Sequence, residues 1–250
     1  MNIGLYQSAA SLAALERWQD NVSQNITSAQ TTGYRKRTIQ FSTETAGEIH
    51  PDSRSKLGRD NGVPAVFPRT SAGINFLSGE TMPTRRELDV AIQGEGFFEV
   101  ALPDGAGMAY TRSGEFRLRP DRTLVTAAGL EVMSQAGSPI VLLPGGGAVT
   151  INQDGTVFQG NLALGKLSIQ KFANTAALIP TSGGMFTAGA GAGMEPVEEP
   201  DLMQGYLEQS NVQPLREMVD LVLISRAYEA NQKMITAIDQ QMEKALQALG

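Results

Sequence analysis

Leu221-Val-Leu-Ile224-Ser-Arg-Ala-Tyr228-Glu-Ala-Asn231-Gln-Lys-Met-Ile235-Thr-Ala-Ile238-Asp-Gln-Gln-Met242-Glu-Lys-Ala245-Leu-Gln-Ala-Leu249 is the stretch that decides how this chain is built. Its apolar residues recur in alternating steps of three and four, through Leu221, Ile224, Tyr228, Asn231, Ile235, Ile238, Met242, Ala245 and Leu249. That stepping predicts a long helix carrying a heptad seam with one polar member, Asn231. Asn231 has two readings: a buried polar residue that fixes register and partner number, or a place where the seam frays. At the other end Leu5, Ser8, Leu12, Leu15, Gln19, Val22, Ile26 and Ala29 follow the same stepping more loosely. A seam at each end of the chain predicts termini that pack on each other or on a neighbouring molecule, as in a building block.

Between the ends the pattern changes from period 3.6 to short alternating runs broken by glycine. Leu88–Ile92, Gly96–Val100, Met108–Arg112, Glu115–Leu118, Thr123–Thr126, Val132–Ser134, Ala148–Asn152, Thr156–Gln159 and Lys166–Phe172 read as strands, with turns at Asp104-Gly105 and Asp154-Gly155. Residues 42–72, holding Pro51, Gly58, Gly62, Pro64 and Pro68, read as an extended connection. The glycine-rich run Gly183–Gly193 and the acidic Glu195–Pro200 read as loop or linker. Asn2 can cap the first helix, Gly33 can end it in a left-handed residue, and Pro214 suits the first turn of the last one. The expected fold is therefore mixed α and β. Long N- and C-terminal α-helices form a coiled-coil layer around a central β-rich domain of short antiparallel strands. The expected divisions are residues 1–41 for the first helix, 42–72 for the connection, 73–204 for the β-rich domain and 205–250 for the last helix.

Composition narrows the chemistry. A chain of 250 residues, 41% hydrophobic and 18% charged, has the material for a sizeable core. A net charge of −6 gives no basic footprint for nucleic acid, and Arg35-Lys36-Arg37 is a short basic run of the kind that usually lies on a solvated face. With no cysteine, disulfides and thiolate metal sites are excluded. The first basic residue is Arg17, so the charged and apolar regions of a secretory signal are missing. No run approaches about 18 apolar residues, as an ordinary membrane span needs. Alone, this places the chain in the cytoplasm unless a dedicated export route exists.

His50 is the single histidine, so any triad or histidine metal site would hang on it. Gly94-Glu-Gly96 is followed by Phe97-Phe-Glu-Val100, which continues a strand where a dinucleotide fingerprint opens a helix. Gly145-Gly-Gly147 lacks the lysine of a phosphate loop and reads as a turn. Glu95, Glu99, Glu115 and Asp121 lie in or near hairpins, where solvated side chains are the usual outcome. The residues thus predict no enzyme, no cofactor and no metal.

Five blocks carry a resemblance. Asn25-Ile-Thr-Ser-Ala-Gln-Thr-Thr-Gly33-Tyr-Arg35 is similar to the helix-end motif of bacterial flagellar axial proteins, with Gln24 and Ser28 standing where that family usually has Asn. Leu88–Phe98, Tyr110–Phe116 and Ile151–Val157 resemble successive signatures of rod and hook proteins. Gly205–Val212 with Arg226–Asn231 is similar to the segment that leads into their last helix. The chain accordingly resembles the flagellar basal-body rod proteins, the proximal members first and the distal rod or hook-type members as the alternative.

The resemblance implies a structural subunit that polymerises helically and transmits torque across the periplasm, located in the basal-body rod. It implies contact with itself and with other rod or axial proteins, and export unfolded through the flagellar type III apparatus, with no nucleic acid partner and no membrane insertion. The residues expected to form the assembly seam are Leu5, Leu12, Leu15, Val22, Ile26, Leu221, Ile224, Tyr228, Asn231, Ile235, Ile238, Met242 and Leu249. Each terminal helix has one apolar stripe, so both are expected to order only when a neighbour covers it. A cell-wall location also raises a peptidoglycan hydrolase as an alternative of another class.

Overall fold

In a computed structural model of the chain, which describes residues 3–49, 63–105 and 107–247, the two stretches with helical stepping form the only long helices among the described residues. These are α1 (Ile3–Thr27) and α2 (Pro214–Gln247). Pro214 opens α2, where its fixed φ and missing N–H cost nothing. The strands are β1 (Arg37–Ile49), β2 (Val63–Ile74), β3 (Thr81–Pro83), β4 (Val90–Gln93), β5 (Phe97–Ala101), β6 (Met108–Thr111), β7 (Phe116–Leu118), β8 (Leu124–Thr126) and β9 (Glu131–Val132). They continue with β10 (Val149–Ile151), β11 (Thr156–Gln159), β12 (Leu162–Lys166), β13 (Ile169–Phe172), β14 (Leu178–Pro180), β15 (Met185–Ala188), β16 (Met194–Pro196), β17 (Asp201–Gln204) and β18 (Tyr206–Glu208). Asn2, His50, Pro51, Gly58, Gly62 and Leu249 lie outside the described residues.

The chain divides into two compact units. The first gathers α1, the hairpin β1–β2 and α2. Asn25 is bonded to Glu217 and Ser8 approaches Met234, so the two helices run antiparallel. The hairpin returns along α1: Trp18 meets Phe41 edge-to-face at 5.6 Å, Arg17 bonds to Thr70, and the Gln7 amide donates to the Val66 carbonyl. Residues 42–72, expected as an extended connection, are therefore largely strand where they are described.

The second unit holds residues 27–36 and 74–213. Its largest sheet has the order β14-β15-β6-β5-β9-β8-β7, with β13 joined to β5 and β16 to β13. A three-stranded sheet (β10-β11-β12) and the pairs β17-β4 and β18-β3 complete it. Alternating side chains of these antiparallel strands fill one core around Val90, Phe98, Val100, Val132, Leu167 and Ile169. A second cluster is aromatic, with Phe97, Tyr110, Phe172 and Phe186 buried and Phe76 packed against them. Strands β15 and β16 lie in the stretch expected as loop or linker, because its glycines serve the turns between short strands: Gly183, Gly184, Gly191 and Gly193 all have positive φ.

The coiled-coil layer is not present. Of the expected seam, only Leu15 and Val22 of α1 and Ile224 of α2 are buried, with Trp18, Ile26 and Ala227 packed around them. Leu221, Tyr228 and Met242 are exposed, while Asn231, Ile235 and Ile238 are half-buried, as are Leu5 and Leu12. The two helices meet through the small cluster of Leu15, Val22 and Ile224 and through Asn25 with Glu217, and not along a continuous seam. The reason is geometric. A heptad pattern marks an apolar stripe without specifying its cover, and α1 at about 37 Å cannot line an α2 of about 51 Å.

Candidate functional site

Ile224 is packed inward, yet Leu215, Met218, Val219, Leu221, Val222 and Leu223 around it are all exposed, Leu215 by 80% and Val219 by 59%. The first turns of α2 are thus apolar on nearly every side, the pattern of a helix that is meant to be surrounded. A groove of about 700 Å³ on this side is lined by Leu12, Glu16, Leu221, Val222 and Tyr228. Farther along, Met234, Met242 and Leu246 continue the exposure. Apolar exposure of this extent on a folded chain marks a candidate interaction surface. Leu221, Tyr228 and Met242 of the heptad reading are exposed here, and so are Leu215, Met218, Val219, Val222, Leu223 and Leu246, which it did not name. It combined two sides of the helix into one seam.

Each unit also holds a polar junction that the sequence reading did not resolve. In the first unit the Asn25 amide bonds both ways with the backbone of Arg37 (2.9 Å each) and donates to Glu217 Oε2 at 3.0 Å. Asn25 and Glu217 are each 1% exposed. One side chain therefore ties the end of α1 to the starts of β1 and α2, in a site where leaving any of these groups unpaired would be costly.

In the second unit three distant segments meet on Glu208. Arg35 Nη1 donates to Glu208 Oε1 at 2.6 Å and to the Leu77 carbonyl at 3.0 Å, while Arg112 Nη1 reaches Glu208 Oε2 at 3.3 Å. Arg112 also donates to the carbonyls of Ile92 and Gly94 and lies over the Phe97 ring at 5.4 Å. All three charged side chains are at most 4% exposed, and Arg35 Nε, Arg35 Nη2 and Arg112 Nε are buried without a hydrogen-bond partner among the described residues. Burial lowers the Arg112 pKa to about 10; Glu208 opposes the shift and the nearby Arg35 charge adds to it.

Gly33, expected at the helix end, instead sits six residues beyond Thr27 with φ +68°, where an added Cβ would overlap the Arg112 and Ser113 backbone. Thr32 and Ser113 hydroxyls bond at 2.6 Å beside it. Asn211 accepts from the Lys36 N–H (2.7 Å) and donates to the Asn75 and Leu77 carbonyls. Thr32, Gly33, Lys36, Arg112, Ser113 and Asn211 lie in or beside sequence blocks quoted above, and that coincidence was the available signal.

Of the carboxylates considered for acid–base chemistry, Glu99, Glu115 and Asp121 are tied up locally. Glu115 is held below its ordinary range by Arg117 first and Arg86 next, and Asp121 by the N–H of Thr123. Glu99 accepts from Ser168 at 2.6 Å, and Glu95 is exposed. Arg35 is buried, against the expectation of a solvated basic run. Among the described residues no group of three or more acidic or histidine side chains is placed to hold a metal ion, and no helix is long and apolar enough to cross a membrane.

Known proteins give the geometry a context. Residues 91–159 match the family model described as the flagellar hook protein FlgE/F/G D1 domain, and residues 203–248 match that of the flagellar basal body rod FlgEFG protein C-terminal. The chain is 32% identical over 251 residues to the flagellar basal-body rod protein FlgF of Caulobacter vibrioides, covering 100% of this chain and 99% of that one. It is 32% identical over 257 residues to the rod protein FlgG of Borreliella burgdorferi, with 94% of each covered, and 33% identical over 246 residues to FlgG of Agrobacterium fabrum, with 88% of each covered.

Proposed function

This chain belongs to the flagellar basal-body rod protein family, and from that premise we propose that it is a structural subunit of the rod whose exposed α2 face is its principal surface for contact with neighbouring subunits. The observation that carries the reading is the helix whose first turns are apolar on nearly every side and covered on one side only. A subunit that meets its neighbours through non-identical patches, with a rotation that does not close, builds a helical filament. Its neighbours are further copies and other axial proteins, and its work is mechanical: stiff packing carries torque across the periplasm without a reaction at any residue. Export through the flagellar type III apparatus fits this place in the cell. The seam residues Leu12, Leu221, Tyr228 and Met242 belong to the proposed surface, whereas Leu15, Val22 and Ile224 hold the subunit together.

End-to-end matches to FlgF of Caulobacter vibrioides and of Rhizobium meliloti, each covering 100% of this chain and 99% of the relative, support an F-type position in the rod. A tagged copy expressed in its own host and traced through basal-body purification tests the proposal. Recovery with the rod supports it, and recovery only in the soluble fraction of motile cells contradicts it.

A further inference from the structure

Two guanidinium groups share one buried carboxylate in the second unit, and the three arrive there by different routes. Arg112 follows β6 and is anchored in the large sheet; Arg35 arrives with residues 31–36; Glu208 arrives with residues 205–211. We propose that this unequal pairing makes docking sequential: residues 205–211 must dock before residues 31–36 can lock. The inference concerns this junction alone and stands apart from the rod assignment.

Consider each segment docking by itself. When 205–211 docks alone, Glu208 meets Arg112 as a neutral pair, and its other oxygen still accepts from the Gly79 N–H at 2.9 Å. Its backbone is held independently of Arg35, through the β18–β3 pairing, Gly205 N–H to the Asp89 carbonyl (2.7 Å) and Gln209 N–H to the Glu80 carbonyl (2.8 Å). When 31–36 docks alone, two guanidinium charges close enough to repel face each other with no carboxylate between them, and Arg35 keeps the Leu77 carbonyl as its protein partner there. Glu95, the other carboxylate that acts on Arg112, is exposed and screened.

The backbone points the same way. Gly33 N–H donates to the Glu208 carbonyl at 2.8 Å and Lys36 N–H to Asn211 Oδ1 at 2.7 Å, so the N-terminal segment takes hydrogen-bond partners from the C-terminal one. Because a chain is synthesised from its N-terminus, residues 31–36 stay unlocked until residue 208 of 250 has been made. An incomplete chain is thereby kept from presenting a finished N-terminal junction.

Hydrogen exchange read by mass spectrometry on the full chain tests the order. Gly33→Val, which cannot seat against the Arg112–Ser113 backbone, should open 31–36 fully while 205–211, losing only the stabilisation that the locked segment lent it, stays clearly the better protected of the two. Glu208→Gln should speed exchange in 31–36 by about tenfold or more, and adding Arg35→Gln to it should return 31–36 to within about threefold of the Arg35→Gln single variant. If Glu208→Gln accumulates only in inclusion bodies, recovery of soluble chain by the added Arg35→Gln counts the same way. The proposal is overturned if Gly33→Val opens 205–211 as far as 31–36, if Glu208→Gln leaves 31–36 protected, or if the double variant is no better than Glu208→Gln.

Discussion

Replacing Val219 and Val222 together by Asp separates assembly from folding. Both side chains are more than half exposed, at 59% and 51%, on a helix whose neighbour Ile224 is the buried anchor. Folding of the subunit should therefore change little: exposed substitutions stay within about 0.5 kcal/mol, and two Asp residues add a helix-propensity cost of about 1 kcal/mol at most. In the assembled rod the balance differs. Full burial of a Val stabilises by about 1.5–3 kcal/mol, so covering the exposed halves is worth about 1 kcal/mol for each residue, or about 2 for the pair. The two carboxylates would in addition have to lose water without a partner, at several kcal/mol each. A contact repeated along a filament does not tolerate such a loss at every step. The purified variant should match the wild-type thermal unfolding profile to within a few degrees, while cells carrying it fail to swim and yield no complete basal bodies. Normal swimming at wild-type protein levels refutes the assignment of this face.

Ile224→Ala, at a position 1% exposed, should instead destabilise the first unit by about 2–4 kcal/mol, visible in denaturant unfolding of the isolated chain. Gly33→Ala should cost more than about 1 kcal/mol, because it combines a positive φ with overlap on the Arg112–Ser113 backbone; urea titration gives the value. Asn25→Ala should destabilise by about 1–3 kcal/mol, since it leaves the Arg37 backbone groups and a buried Glu217 short of a partner; the lower unfolding midpoint checks it. The Glu115 carboxyl is lowered in the folded chain, so its contribution is present above the carboxylate's unfolded pKa and lost as pH falls through the folded one. Glu115→Gln should therefore flatten stability against pH on the acid side by less than about 1 kcal/mol, measured by unfolding at several pH values.

Most strands from Leu88 to Phe172 were legible as short apolar runs between clear turn signals, some alternating, as Val149-Thr-Ile151 before Asp154-Gly155, and others buried throughout, as Leu124-Val-Thr126. The hairpin β1–β2 was not, since its Ser, Thr, Gly and Pro content obscures a strand that is held by side chains of α1, namely Gln7, Arg17 and Trp18. Helix periodicity found α1 and α2 and failed on what covers them. Stepping by three and four merged Ile224, which is buried, with Leu221 and Tyr228, which are not. The Glu208 junction joins residues 173 and 96 positions apart, a separation at which no local pattern operates. Only the presence of Arg35, Arg112 and Glu208 in three separate family blocks hinted at their meeting.

The chain has no cysteine, so one introduced thiol reports its surroundings without background. Val222→Cys in a strain that still swims, probed with a maleimide in purified basal bodies and in the free subunit, tests the central claim most directly. The account predicts rapid labelling of the free subunit and strong protection in the intact rod, lifted when the rod is dissociated. Labelling in the intact rod as fast as in the free subunit would show that the α2 face looks onto solvent after assembly and would contradict the account.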